Sequence, residues 1–179
     1  MKLEPIITQA VIETPTFDLR PLRQSDAGLI DLYASDIRVA QNSETIPHPL
    51  PPGSTEAFIA NAWAQDRTVD FWAIDATKTG GAEVMGLIWL ERLGRDQSGL
   101  GGWVAPAFWN LGVATATVGS ILVHNPQNSV TYFASVFQDN LASARVLTNA
   151  GFEYLGDAEQ YCVARGANVP IWTYSRRAG

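Results

Sequence analysis

The chain has a single cysteine, Cys162, two histidines, His48 and His124, and two lysines, Lys2 and Lys78, against ten arginines. One cysteine excludes an internal disulfide, so nothing in the chain calls for an oxidising compartment. Two histidines do not make a histidine-rich metal centre, and C-x-x-C and H-E-x-x-H are both missing, so no metal is expected. Neither G-x-x-x-x-G-K-[ST] nor G-x-S-x-G occurs, which leaves P-loop and hydrolase readings without support. No run approaches the ~18 apolar residues of a membrane span, and the N-terminal stretch MKLEPIITQAVIETP has no apolar signal-peptide core. We therefore expect a cytoplasmic protein without a membrane partner. With 12 basic residues against 18 acidic ones and a net charge of −6, the surface is not built to neutralise a phosphate backbone, so nucleic acid is not an expected partner.

What is present fits one domain over residues 1–179, at about 150 residues per domain. Hydrophobic residues make up 46% and charged residues 17%, enough apolar material for a substantial core. The segment from Thr16 to Leu22 alternates Phe17, Leu19 and Pro21 with Asp18, Arg20 and Leu22, as a first strand would. Ser25 then reads as a helix cap, followed by Ala27, Ile30, Leu32, Tyr33 and Ile37 at helical spacing, with an end near Ser35 or Asp36. Asn42 to Gly53 holds four of the ten prolines and reads as a stiff, irregular loop. Ser54 and Thr55 can cap a second helix through Trp63. Three strand-like runs follow, Val69–Ile74, Val84–Leu90 and Gly101–Ala105, separated by a turn at Gly80-Gly81 and a polar loop from Gly94 to Ser98. Val113–Val123 fits a helix, and Val130–Phe137, apolar or β-branched apart from Ser135, reads as a central strand covered on both faces. Asp139 or Asn140 caps the last helix, which stops at Gly151 with Phe152 packing back, and two strands toward Cys162 and from Val169 to Ser175 close the chain. The order β-α-α-β-β-β-α-β-α-β-β predicts an α/β (α+β) sheet with helices on both faces.

One stretch points to chemistry. Gly101-Gly102-Trp103-Val104-Ala105 runs as a strand into a glycine-containing turn at Trp109-Asn110-Leu111-Gly112, then into a helix at Val113-Ala114-Thr115. A strand feeding a helix in this way aims free backbone N–H groups and the positive dipole end at one point, a site for a pyrophosphate. The helix Asn140-Leu141-Ala142-Ser143-Ala144-Arg145-Val146-Leu147-Thr148-Asn149-Ala150-Gly151-Phe152 is a second candidate, with Asn140 capping and Ser143 three residues on. His124 sits in the last turn of its helix, where the dipole alone favours it; His48 lies in the proline loop, where it could line a pocket.

Trp109 to Thr115 resembles the W-G-K-G-Y-A-T phrase of GNAT-superfamily acyltransferases, in the branch that acetylates N-termini of ribosomal proteins (RimJ/RimL-like). Gly102 to Pro106 is similar to that branch's preceding strand, Asn140 to Phe152 to its N-x-x-S-x-x-V-L-x-x-x-G-F helix, and Glu13 to Ala27 to its opening. The likeness runs from about residue 13 to 175. It implies the GNAT fold, a mixed, mostly antiparallel sheet whose middle strands splay apart to admit the pantetheine arm of acetyl-CoA, and direct acetyl transfer to an amine.

Several residue roles are implied by the same likeness. Backbone amides from Leu111 to Thr115 would hold the pyrophosphate, with Trp109, Asn110, Gly112, Val113 and Ala114 forming the turn around it. Trp103, Val104 and Ala105 would meet the pantetheine amides, Asn140 would lie near that arm, and Ser143 or a water would protonate the departing thiolate. Relatives often place a tyrosine where Leu147 stands and a glutamate where Gly99 stands. Glu91 and His48 are then the candidate bases, and Cys162 has no role as a nucleophile. The expected partners are acetyl-CoA and an amine acceptor, with the protein a monomer or homodimer. A GNAT-fold module that binds acyl-CoA without turnover, as a sensor or interaction domain, is the alternative that Gly99 and Leu147 favour.

Overall fold

In strand β3, Val69–Asp75, successive side chains turn to opposite faces. Trp72 and Ile74 join one core with Leu90, Ile121 and Tyr132, whereas Ala73 joins another with Leu22, Ile30, Ile59 and Leu87. A two-sided sheet covered by helices on both faces is the consequence. The computed structural model describes residues 9–179; residues 1–8, which include Lys2 and the first part of the N-terminal stretch, lie outside the described residues.

The strands are β1 (Ile12–Glu13), β2 (Asp18–Pro21), β3, β4 (Gly86–Gly94), β5 (Gln97–Val104), β6 (Thr131–Phe137), β7 (Glu153–Cys162) and β8 (Ala167–Arg177). They form one sheet in the order β1-β2-β3-β4-β5-β6-β8-β7. Every neighbouring pair is antiparallel except β5 with β6. Helices α1 (Ala27–Ala34) and α3 (Ser54–Ala62) accompany one core, with α2 (Ile37–Ala40) between them in the chain, and α4 (Val113–His124) and α5 (Leu141–Asn149) accompany the other. A smaller third core, Phe137, Cys162, Val169 and Ile171, closes the far end of the sheet. Among the described residues no helix is long and apolar enough to cross a membrane.

The last helix follows its sequence signals closely. Asn140 Oδ1 accepts the Ser143 amide at 3.3 Å, Gly151 takes φ +87°, and the Phe152 amide returns to the Leu147 carbonyl at 3.0 Å.

Elsewhere tertiary contacts changed the outcome. Ser25 is not a cap: Gln24–Asp26 is a single 3-10 turn, and Asp26 is buried, accepting the Arg23 amide at 2.8 Å. Ile37 belongs to α2, because Asp36 is extended at ψ 125° and caps a new helix by accepting the Arg38 amide at 2.9 Å. The third expected strand starts at Gly86 rather than Val84, and β1 adds a short strand ahead of the first expected one. The expected loop Gly94–Ser98 is mostly strand, since β4 and β5 run on to a tight turn at Arg95-Asp96. Ser98 is buried there and bonds Ser129 and Gln127, and Gln127 donates in turn to Asp70 and to the Leu90 carbonyl. Its polarity serves an internal network instead of solvent. Finally, β6 is not covered throughout: Tyr132 and Phe137 are buried, but Phe133 to Val136 between them border a cavity.

Candidate active site

The cavity begins where two strands part. β5 and β6 pair only from Gln97–Thr131 to Gly99–Phe133, after which β5 stays with β4 through Val104 and β6 stays with β8 through Phe137. Between them lies an opening of about 1370 Å³. The Ala105 amide donates to the Met85 carbonyl at 2.8 Å, toward the β4 side, while the Asp96 carbonyl accepts the Val130 amide at 2.8 Å, toward β6. Alternation along an antiparallel strand therefore turns the backbone groups of Leu100, Gly102 and Val104 to the gap and those of Gly101 and Trp103 to β4. This corrects the expectation for Ala105. Its amide is committed to Met85, its carbonyl accepts Phe108 N at 2.9 Å, its side chain is fully buried, and it does not line the cavity. Trp103 reaches the cavity through its indole instead, packed edge-on to Tyr33 at 6.3 Å.

At the other end of β5 the chain turns into α4. Asn110 and Gly112 both adopt the left-handed conformation, φ +62° and +76°, and Gly112 is the N-cap. A Cβ built on Gly112 meets nothing within 4 Å, so the glycine is there for its backbone angle and for the open space in front of the helix. No side chain caps α4, and the first bond of the turn runs from Ala116 N to Gly112 O at 3.0 Å. The amides of Val113, Ala114 and Thr115 are thus left for an anion, together with the helix dipole. Trp109 is held over the strand end by its indole N–H, which donates to the Val104 carbonyl at 2.7 Å, with the Arg38 guanidinium 5.8 Å from its ring. Trp109, Asn110, Gly112, Val113, Ala114 and Thr115 all line the cavity; Leu111 does not, its side chain being 70% exposed and turned outward.

Asn140 and Ser143, at the start of α5, line the same cavity. Capping fixes Asn140, which holds Ser143 half-buried one turn along. Leu147 is buried in the core. These groups, the gap-facing backbone of β5 and the open helix start form one continuous wall, which fits the extended, anion-ended shape of acetyl-CoA.

The opposite wall is aromatic. Phe58 packs edge-on to Phe71 at 4.8 Å, and Phe71 lies 5.4 Å from Trp89; all three face the cavity. Glu91, one of the two candidate bases, follows Trp89 on the same face of β4 and opens onto the cavity. His48 does not: it is exposed and outside the lining, its loop carrying it past the cavity rim, so no base role rests on it. His124 directs Nδ1 to the Ser120 carbonyl at 2.9 Å, which is a helix-end role.

A carboxylate without a sequence signal also reaches this wall. Glu44, in the proline loop after α2, lines the cavity and accepts a hydrogen bond from Ser135 Oγ at 3.4 Å. Although the side chain is exposed, partial desolvation in the cavity pushes its carboxyl above the usual range, the Ser135 bond pushes it down, and the nearby Glu91 charge pushes it up. Cys162 is fully buried, with Sγ directed at the Ser43 carbonyl at 3.3 Å, and helps anchor this loop. Among the described residues no group of three or more His, Cys, Asp or Glu is placed to hold a metal ion.

Comparison with known proteins gives the same picture. The chain is similar in structure to RimL, the ribosomal L7/L12 alpha-N-protein acetyltransferase in complex with coenzyme A, with TM-score 0.80 at 16% identity over 94% of this chain and 98% of that one. It is similar to the spermidine N-acetyltransferase of Vibrio cholerae in complex with CoA and spermine, with TM-score 0.78 at 14% identity over 92% and 97%. The ribosomal-protein-S5-alanine acetyltransferase of Vibrio fischeri gives TM-score 0.75 at 18% identity over 94% and 97%. No curated protein matches the sequence significantly. The family model of the acetyltransferase (GNAT) domain matches residues 17–153, most of the sheet together with α1 to α5, and the chain belongs to the GNAT acetyltransferase family.

Proposed function

We propose that the protein is an N-acetyltransferase that passes the acetyl group of acetyl-CoA directly to a primary amine, on a protein N-terminus or a small molecule. The observation that carries this reading is that the free amides of α4 and the gap between β5 and β6 open into one cavity. A pyrophosphate at the helix start and an extended arm in the gap would bring a thioester to Ser143 and the β6 edge. Val113, Ala114 and Thr115 bind the anion; the backbone of Gly102 and the amide of Val104, whose carbonyl holds Trp109, offer partners to the arm. Ser143, or a water, gives a proton to the departing sulfur, a modest demand because a thiol pKa is only ~8.5. The aromatic wall of Phe58, Phe71 and Trp89 receives the acceptor, and the two carboxylates beside it suit a cationic amine.

A binding module without turnover is the competing reading, and Leu147 in the core is the observation in its favour. Release of free CoA, followed over a panel of amines, decides between them. Acetyl-CoA is also expected to raise the Tm, since a ligand bound only to the native state stabilises it by about 2.7 kcal/mol at a hundredfold excess over Kd; NADH is not. Absence of a thermal shift and of binding heat at millimolar acetyl-CoA would end both readings.

A further inference from the structure

The acceptor wall holds two carboxylates, and their surroundings differ. Both are exposed side chains that line the cavity, and Glu91 extends from a strand position in β4. Glu44 comes from a loop pinned at several points to the β7–β8 hairpin. Val163 N donates to the Glu44 carbonyl at 3.1 Å, Cys162 Sγ is directed at the Ser43 carbonyl, and Arg165 Nε donates to the Gln41 carbonyl at 2.9 Å. Ser135, whose hydroxyl meets the Glu44 carboxylate, lies two residues beyond Phe133, the last β6 residue paired with β5. Glu44 is therefore held beside β6 where that strand leaves β5, and it lines the same cavity as Phe58, Phe71 and Trp89.

We propose that Glu44 is the proton acceptor for the attacking amine, with Ser135 positioning its carboxylate. The proposal rests on the N-acetyltransferase reading. In the step, the C–N bond forms as the C–S bond breaks; the amine proton passes to the Glu44 carboxylate, and the sulfur takes a proton from Ser143 or water. Exchange with solvent restores both groups.

The charged neighbours support this division of labour. Arg165 is bound to Asp139 at 2.6 Å and Arg38 to Asp36 at 2.7 Å, so each has its own carboxylate partner, while Arg145 lines the same cavity from α5. His48, on the same loop, acts on Asp36, and the Cys162 thiol is buried against the loop carbonyls. The Glu91 carboxylate is the charge that acts on Glu44, and it favours the protonated form, while the Ser135 hydroxyl favours the charged one. A carboxyl raised toward neutrality is a better base at working pH than an ordinary one.

The test is the pH dependence of kcat for CoA release, measured with one saturating amine so that the amine's own ionisation is common to all variants. Wild-type turnover comes first; its absence with every amine would defeat the acetyltransferase reading itself. Given turnover, Glu44→Gln is expected to lower kcat by about 100-fold, within the usual range for a general base, and to remove the acidic limb. Its acetyl-CoA Kd and Tm are expected to match wild type. Glu91→Gln should move the limb to lower pH, because a like charge is gone, and Ser135→Ala should move it to higher pH, because a donor to the carboxylate is gone. Glu44→Asp, one methylene shorter, is expected to keep the limb at reduced kcat. Wild-type kcat in Glu44→Gln, or loss of the limb in Glu91→Gln while Glu44→Gln keeps it, would overturn the assignment and leave the family reading untouched.

Discussion

Glu91 and Gly99 stand directly opposite each other across β4 and β5. Directly opposed antiparallel residues project to the same face with Cβ positions about 5 Å apart. The carboxylate that relatives often carry at the Gly99 position is thus present one strand away on the same wall. The space above Gly99 is taken by Leu93, whose Cδ1 lies 3.4 Å from where a Cβ would stand.

Two glycines of β5 separate space from necessity. A Cβ at Gly99 makes an ordinary contact, and Gly99→Ala is expected to change stability by no more than about 0.5 kcal/mol. A Cβ at Gly101 would fall 2.3 Å from Trp89 Nε1, within the indole that packs on Phe71. Gly101→Ala is expected to cost about 1–3 kcal/mol as overpacking and to raise the KM for the amine by displacing the aromatic wall. Urea denaturation of the pair, followed by kinetics, checks both.

At Gly112 the expected effects of backbone and charge can be read apart. Gly112→Ala forces a side chain into φ +76° and is expected to lower stability by about 1 kcal/mol while acetyl-CoA still binds. Gly112→Glu adds bulk and negative charge in front of the free amides, and calorimetry should find acetyl-CoA binding lost with the circular dichroism spectrum retained. Normal binding by Gly112→Glu would make the turn purely structural.

Ser143 makes a sharper claim. Ser143→Ala is expected to lower kcat by about 10 to 100-fold with little change in KM, the lower end of general-acid effects, because the thiolate already leaves readily. The Asn140 cap on the Ser143 amide survives this change, so the Tm should hold. A rise in KM alone, with kcat unchanged, would mark Ser143 as a binding group.

Arg20 is a prediction about the fold. Its Nε donates to Asp75 at 2.6 Å and its two terminal nitrogens to Asp26 at 2.9 Å, with the three side chains 8% exposed or less. Arg20→Met leaves two buried carboxylates without a cation and is expected to cost about 3–5 kcal/mol. For Asp75, burial pushes the carboxyl up, but hydrogen bonds from Thr77 and Arg20 bring it below the usual value. A pKa depressed in the folded state contributes stability that is complete above the unfolded value of ~3.9 and is lost as pH falls through the folded one. Asp139, held low chiefly by Arg165, follows the same sign. The Tm should decline below about pH 4, and less steeply in Arg20→Met.

Local signals were legible wherever one segment carries all its own causes. The α5 cap at Asn140, its stop at Gly151 and the turn from Trp109 to Thr115 depend on neighbours within a few residues, and each stands where the sequence reading puts it. Signals that depend on distant partners misled. Arg20 reads as the alternating polar residue of an edge strand, yet it is buried, because Asp26 and Asp75 meet it there. Ser98 reads as loop and lies inside, bonded to Ser129 and Gln127.

The sequence by itself determined the family, most of the order of elements and the strand–turn–helix around Gly112, since hydrophobic period, caps and glycine positions act over one or two helical turns. Which carboxylate faces the reacting groups was decided only by the tertiary structure. Nothing in Asn42 to Gly53 distinguishes Glu44 from any other loop glutamate. Its place arises because Cys162, 119 residues away from Ser43, and its neighbours Val163 and Arg165 fix the loop to the β7–β8 hairpin, which sets Glu44 beside Ser135 on the strand that leaves β5 at Phe133. The cost of burying backbone carbonyls without donors selects that arrangement, and it becomes visible only when the sheet has closed.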